Sequence, residues 1–172
     1  MEAESFTDWL PPLLPLAACG GDWNQYLETI YAVFRDDFCG ERPKFMGRPL
    51  GLKCLPMEHG KEATFWHFIQ EGPEEADRQP DLRRCERIRW PRPVIEAHAD
   101  QGRIKLWSNT RVRKGGKGQE QRWVLALPDF SYVVVLADRG DFLLPWAMYV
   151  VERDHRRQKL AKEFEAWQQS AP

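Results

Sequence analysis

The sequence predicts an α+β fold, in which N-terminal helices and a C-terminal helix pack on an antiparallel β-sheet of about four to five strands. Apolar residues recur at helical spacing in residues 22–38 and again in 154–168. Between 104 and 151, short apolar segments alternate with turn-forming residues, as in closely connected strands. Tight connections between consecutive strands favour antiparallel pairing, so we expect a meander.

The chain of 172 residues with 42% hydrophobic residues is long and apolar enough for a single domain with a core. Residues 1–21 are predicted to form an irregular arm that packs on one α+β domain of residues 22–172. The N-terminus is acidic, and three prolines interrupt the apolar residues that follow it. This pattern is unlike a signal peptide or a membrane span, so we expect a cytoplasmic protein without membrane contact.

The N-terminal half predicts three helices, the last of them short, and two strands. Asp22 is a candidate N-cap for a helix that continues to Phe38 and stops before Gly40. Strands are predicted at 50–55 and 63–69. Pro80 suits the first turn of a helix that reaches Arg89, and a short helix is expected to resume at 94–98.

The C-terminal half predicts four strands and the last helix. Strands are expected near 104–107, 122–127, 131–136 and 142–151, with a glycine-rich hairpin tip at 115–118. Pro145 cannot donate to a ladder, so the last strand is predicted to be an edge strand or bulged there. The final helix, 154–168, presents Leu160, Phe164 and Trp167 on one face.

Charge and cysteine content exclude several classes of protein. Lys and Arg total 25 against 26 Asp and Glu, so general coating of nucleic acid is not expected and any such contact needs a local patch. No CxxC pair, histidine pair at ligand spacing or glycine-rich phosphate loop occurs, and we expect neither a metal nor a cofactor. The cysteines are predicted to be buried free thiols, although two disulfides remain formally open: Cys19, Cys39, Cys54 and Cys85.

His67 is the first candidate site residue. In the predicted strand it shares a face with Phe65 and Ile69. It is therefore either a core histidine bonded to a backbone carbonyl or a general acid or base, since imidazole titrates near neutral pH.

An arginine cluster is the second candidate. Residues 78–92 contain six arginines against Asp81 and Glu86. On a helix, Arg83 and Arg87 are neighbours at i,i+4 and could hold one phosphate together. The alternative is that these arginines pair with the acidic residues of 71–77.

A second basic stretch, 103–122, combines cations with tryptophans, as in proteins that bind single-stranded RNA. A solvated loop is the alternative interpretation. Tyr149 is either a hydroxyl donor to a phosphate or a tyrosine at the edge of the core. The predicted RNA-binding residues are Arg84, Arg111, Arg113, Lys114, Lys117 and, as a stacking face, Trp107.

Several short motifs together resemble the barnase–EndoU–colicin–RelE-like nuclease superfamily, in particular its members from phages and mobile elements. The resemblance extends from about Trp23 onward. Its motifs are Phe65-Trp66-His67-Phe68-Ile69, the stretch from Pro80 to Trp90, Tyr132-Val133-Val134-Val135-Leu136, Leu143-Leu144-Pro145-Trp146-Ala147-Met148-Tyr149 and Arg156-Arg157-Gln158-Lys159-Leu160.

The resemblance implies metal-independent RNA cleavage, with His67 as acid or base, Arg83 or Arg87 as the phosphate clamp and Tyr149 near the leaving oxygen. A toxin of this kind would have a cognate inhibitor protein. Such proteins often carry a threonine before the alanine of the last motif, whereas Trp146 precedes Ala147 here. This departure keeps two alternatives open: a binding module for nucleic acid or protein on the same scaffold, and a prophage structural protein without a site.

Overall fold

The computed structural model describes residues 5–72, 77–116 and 118–170, except for the side chain of Lys114. It confirms the predicted α+β class. The described part of the chain contains five α-helices and several short 3-10 turns. The helices are α1 Trp23–Phe38, α2 Ala63–Ile69, α3 Leu82–Glu86, α4 Pro91–Glu96 and α5 Asp154–Ser170.

The strands form two small hairpins and one central sheet. The hairpins pair β1 Lys44–Phe45 with β2 Arg48–Pro49, and β3 Gln70–Glu71 with β4 Gln79–Pro80. The central sheet contains β5 Lys105–Val112, β6 Gln119–Ala126, β7 Tyr132–Asp138 and β8 Leu143–Val150. Its four strands follow one another in chain order and pair antiparallel, which confirms the predicted meander.

One face of this sheet meets helices α1 to α4 in the main core. Phe34 and Phe38 of α1 stack on each other and contact Phe68 of α2 edge-on. The arm also reaches this core, because Leu10 and Leu14 are buried in it. Tyr26 fixes the arm by donating a 2.7 Å hydrogen bond to the carbonyl oxygen of Leu14.

The opposite face of the sheet is covered in part by α5. Leu160, Phe164 and Trp167 lie on the packed side of this helix, as the spacing predicted. They cover a smaller cluster that includes Val124, Val133 and the fully buried Trp107. Because α5 covers only part of the face, a cavity remains beside the helix.

The predicted strand at 63–69 is wrong, since these residues form α2. Every residue of α2 except His67 is buried, and the helix contacts α1 on one side and β8 on another. A short continuous apolar segment gives the same pattern whether it is a buried strand or a buried helix. The predicted strand at 50–55 is also wrong, because Leu50 makes one isolated bridge to Leu143 and residues 51–55 have no strand partner.

The helix predicted from Pro80 to Arg89 is shorter than expected. Asp81 is its N-cap, accepting from the N–H groups of Arg83 and Arg84, while Pro80 belongs to β4. The helix ends at Glu86, and Pro91 begins α4 instead of ending a helix. Proline suits the first position of a helix, where its missing N–H has no intrahelical partner to lose.

The four cysteines are free thiols, and Cys85 is the buried one, whereas Cys54 is exposed. Among the helices that the structure describes, none is long and apolar enough to cross a lipid bilayer.

Candidate functional site

A cavity of about 240 Å³ lies at the edge strand β8, between that strand and the α2–α3 region. It brings together three of the predicted site residues, His67, Arg84 and Tyr149. The remaining lining residues are Gln70, Glu71, Gly72, Arg78, Trp146 and Ala147. We call it the edge cavity. It is rimmed by two arginines and by one imidazole, a composition suited to an anion.

The wall of the edge cavity on the β8 side is built by a β-bulge. Val135 pairs with Ala147 and Leu136 pairs with Pro145, so Trp146 is the extra residue between them. The irregularity predicted at Pro145 is thus confirmed, and β8 is also an edge strand. A bulge changes the direction in which a side chain points. Here it places the indole of Trp146 in the wall of the edge cavity.

His67 lies half-buried on α2 with its ring against this indole. The centroids of His67 and Trp146 are 5.2 Å apart, and the planes are inclined by 28°. Nη1 of Arg78 lies 3.1 Å from Nδ1 of His67. A guanidinium can only donate, so Nδ1 accepts, and the neutral ring carries its proton on Nε2. His67 therefore lines the cavity with a defined tautomer, instead of lying within the core.

Arg84 is held in the cavity wall by a hydrogen bond from its side chain to the backbone of a neighbouring element. Its Nη1 donates a 2.6 Å hydrogen bond to the carbonyl oxygen of Gln70. Burial lowers the pKa of Arg84, and the carboxylates of Glu71 and Asp81 oppose this effect. The side chain is thus a fixed, partly desolvated cation, which binds an anion more strongly than a solvated one does.

Tyr149 supplies the hydroxyl group of the cavity. Burial raises the pKa of Tyr149, so its hydroxyl keeps its proton at neutral pH and is available as a hydrogen-bond donor.

Two carboxyl groups interact beside the edge cavity, Glu71 in its lining and Asp81 next to it, and no sequence motif indicated this pair. The β3–β4 hairpin pairs Gln70 with Pro80, which brings the two acids together. Their mutual hydrogen bond raises the pKa of Glu71. Burial acts to raise the pKa of Asp81, but hydrogen bonds from Glu71 and from two backbone N–H groups lower it overall. Glu71 is therefore the acid of the pair that binds a proton more readily.

Arg83 and Arg87 do not form the predicted clamp. Arg83 forms ion pairs with Glu152 and Asp81. Arg87 lies beyond the end of α3, where its guanidinium lies 5.1 Å from the centroid of the Trp90 ring. Neither lines the edge cavity. The i,i+4 prediction fails because the helix ends before Arg87.

The alternative prediction pairs the arginines of residues 78–92 with the acidic residues of 71–77. Glu74 and Glu75 lie outside the described residues. Among the arginines that the structure describes, the ion-pair partners of Arg83 and Arg87 come from elsewhere: Asp81, Glu86 and Glu152.

A second cavity of about 220 Å³ continues from the first across the open face of the sheet. The two cavities share Trp146, Ala147 and Tyr149. We call it the sheet cavity. Its other lining residues are Asn109, Arg111, Arg122, Val124, Val135, Leu160 and Glu163.

The predicted RNA-binding residues divide into three groups. Arg84 and Arg111 line the cavities. Arg113 instead lies 3.7 Å from the buried Glu120, which also pairs with Arg122 and Arg139. Lys117 and the side chain of Lys114 lie outside the described residues.

The predicted stacking role of Trp107 is wrong, because its side chain is fully buried beneath α5. Its indole N–H donates a 3.0 Å hydrogen bond to Glu163. The half-exposed aromatic at the cavities is Trp146, whose ring lies 5.0 Å from the Arg122 guanidinium. Two sequence features marked this position: the proline before it, and a tryptophan where the resemblance implies a threonine.

Comparison of the chain with protein-family models, with curated proteins and with solved structures gives no match. Within the described ranges, no group of three His, Cys, Asp or Glu residues is placed to hold a metal ion.

Proposed function

We propose that this chain is a metal-independent endoribonuclease-like domain of phage or mobile-element type that acts in the cytoplasm, in the manner of a toxin. The observation that carries the proposal is the edge cavity, where an imidazole, two guanidinium groups and a phenol, together with the carboxyl group of Glu71, line a space of about 240 Å³ that admits a phosphate. The imidazole and the two guanidinium groups come from the consecutive elements α2, the β3–β4 hairpin and α3, whereas the phenol comes from β8, which is far away in sequence.

The chemistry requires a base, an acid and cations. His67 is the base: the Arg78 guanidinium moves from Nδ1 to the phosphate, and Nδ1 then takes the proton of the ribose 2′-hydroxyl, so that the 2′-oxygen attacks phosphorus and the bond to the 5′-oxygen breaks. The leaving 5′-oxygen takes up a proton from water, and the products are a 2′,3′-cyclic phosphate and a 5′-hydroxyl. Arg84 and Arg78 stabilise the charge of the phosphorane, and the Tyr149 hydroxyl donates near the leaving oxygen.

A binding module without catalysis is the second candidate, and one observation favours it. The imidazole of His67 is stacked on Trp146, and its Nδ1 already accepts from Arg78. A histidine held in this way can shape a binding pocket without transferring a proton.

The test uses purified protein and a fluorescent single-stranded RNA at low salt. We expect cleavage that His67→Ala abolishes. Arg84→Gln should weaken binding and cleavage together, whereas Arg83→Gln is the matched control, because Arg83 is the preceding residue but lies outside the cavity. Thermal unfolding of each variant verifies that it is folded, and Arg78→Gln provides a second, less buried clamp variant.

Each result has a clear meaning. If His67→Ala cleaves RNA as fast as the parent protein, the acid–base role is wrong. Retardation of RNA without cleavage would support the binding module, and its affinity should fall steeply with salt. If the protein neither cuts nor binds RNA at low salt, the proposal fails. Growth arrest on expression, relieved by His67→Ala, would support a toxin with a cognate inhibitor.

A further inference from the structure

We propose that the sheet cavity is a nucleobase subsite that selects guanine next to the cleaved phosphate. The inference rests on the proposed function for its substrate class, but its evidence comes from a different set of residues. The cavity has an apolar floor of Val124, Val135 and Ala147. Its volume of about 220 Å³ fits one flat heterocycle.

The orientation of the Asn109 amide is fixed by a neighbouring carboxylate. Nδ2 of Asn109 donates a 2.7 Å hydrogen bond to Oε1 of Glu163. A carboxylate cannot donate, so the nitrogen of the amide must face Glu163 and the oxygen must face away. Oδ1 is buried and has no hydrogen-bond partner among the described residues. Buried acceptors are almost always satisfied, and a ligand donor is the simplest partner for this one.

Glu163 is the second acceptor of the cavity. Its Oε1 already receives hydrogen bonds from Asn109 and from the indole N–H of Trp107. These two bonds hold the carboxylate in place against the sheet, and Glu163 lines the same cavity as Asn109. The subsite thus presents two neighbouring acceptor groups on side chains whose rotamers are fixed.

Two acceptors select a base that has two adjacent donors on one edge. Guanine presents N1–H and the N2 amino group side by side. Adenine and cytosine each pair one amino donor with a ring acceptor, and uracil has one N–H between two carbonyl groups. The edge of guanine therefore satisfies both Asn109 and Glu163, whereas each of the other bases leaves an acceptor unpaired or repelled.

The shared wall connects this base to the chemistry. Trp146 and Tyr149 line both cavities, so a base in the sheet cavity leaves its phosphate at the edge cavity. The indole of Trp146 is half-exposed, and the part of it that the stacked His67 ring leaves uncovered provides a contact surface for the base. Arg122 lies 5.0 Å from this ring and supplies positive charge beside the base.

The test measures nucleotide binding, which is independent of cleavage. Guanosine, inosine, adenosine, cytidine and uridine 3′-monophosphates are titrated into the protein by calorimetry. We expect guanosine 3′-monophosphate to bind at least about tenfold more tightly than the adenosine, cytidine and uridine compounds. Inosine 3′-monophosphate, which lacks the N2 amino group, should fall between them.

Asn109→Ala should remove most of the preference for guanine while the weaker binding of the other nucleotides stays unchanged. Gln121→Ala is the matched control, because Gln121 is an exposed amide on the neighbouring strand and does not line the cavity. Equal binding of all five nucleotides would overturn the proposal without any need for a variant. A preference for guanine that survives Asn109→Ala in a folded protein would overturn it as well.

The two proposals fail in distinguishable ways. RNA cleavage without any base preference would leave the nuclease standing and remove the subsite. Guanine-selective binding that depends on Asn109, in a protein that does not cleave RNA, would retain the subsite and favour the binding module.

Discussion

Asp138 at the end of β7 gives a sharp test of the electrostatics that hold the β1–β2 hairpin against the central sheet. Its carboxylate accepts two hydrogen bonds of 2.9 Å from the Arg48 guanidinium. It also accepts from the N–H of Gly140 and from the indole of Trp123. The substitution Asp138→Asn keeps the shape of the side chain and removes its charge. The resulting decrease in the free energy of unfolding therefore measures how much the charged contacts stabilise the fold.

The magnitude follows from the pKa. The hydrogen bonds from Arg48 are the largest of several causes that lower the pKa of Asp138 from 3.8 to about 2. At about 1.4 kcal/mol for each pH unit, the ionised group stabilises the fold by about 2 kcal/mol at neutral pH. Because the folded-state pKa is depressed, this stabilisation is complete above the unfolded-state value of 3.8 and is lost as the pH falls towards about 2.

Urea denaturation, followed by tryptophan fluorescence, measures the effect. We expect Asp138→Asn to lower the free energy of unfolding by about 2 kcal/mol at pH 7, and by about half as much near pH 3. Asp141→Asn, at an exposed position in the next turn, is the control and should change little. A loss that is equal at both pH values would refute the electrostatic reasoning.

Three further perturbations test the remaining contacts. Because folding raises the pKa of Glu71 above 4.5, ionisation of this group should lower the melting temperature as the pH rises above that value. Glu71→Gln should reduce this fall, because the amide stays neutral at every pH. Phe164→Ala should cost about 2 kcal/mol in urea denaturation, since this half-buried ring packs 5.7 Å from Trp107. Trp146→Thr should weaken RNA binding in an anisotropy assay by about 1–3 kcal/mol, the value of stacking one base, while Trp146→Phe retains most of the affinity.

The elements of the C-terminal half could be predicted from sequence because each has one buried face. Leu160, Phe164 and Trp167 recur at helical spacing, and the strands end at turns such as Asp138-Arg139-Gly140. The segment 63–69 could not be assigned in this way. It is buried on nearly every side, so its apolar pattern has no period that distinguishes a helix from a strand.

The site was only partly predictable, because its geometry depends on where one helix ends. A helix reaching Arg89 would place Arg83 and Arg87 on one face, but α3 ends at Glu86 and Arg84 enters the cavity instead. The pairing of Glu71 with Asp81 depends on the register of a two-residue hairpin. Neither property has a local sequence signal.

The bulge at Trp146 explains why both cavities belong to one groove. Pro145 has no N–H to donate, which favours a break in the ladder there, and the extra residue displaces the indole towards His67. The next residue, Ala147, pairs with Val135 of the neighbouring strand, and its side chain is small. The floor between the two cavities therefore stays open. With an indole where the resemblance implies a threonine, Tyr149 is the hydroxyl-bearing side chain that lines both cavities within the described residues. If the groove cleaves RNA as we propose, Tyr149→Phe should abolish cleavage more completely than it weakens RNA binding.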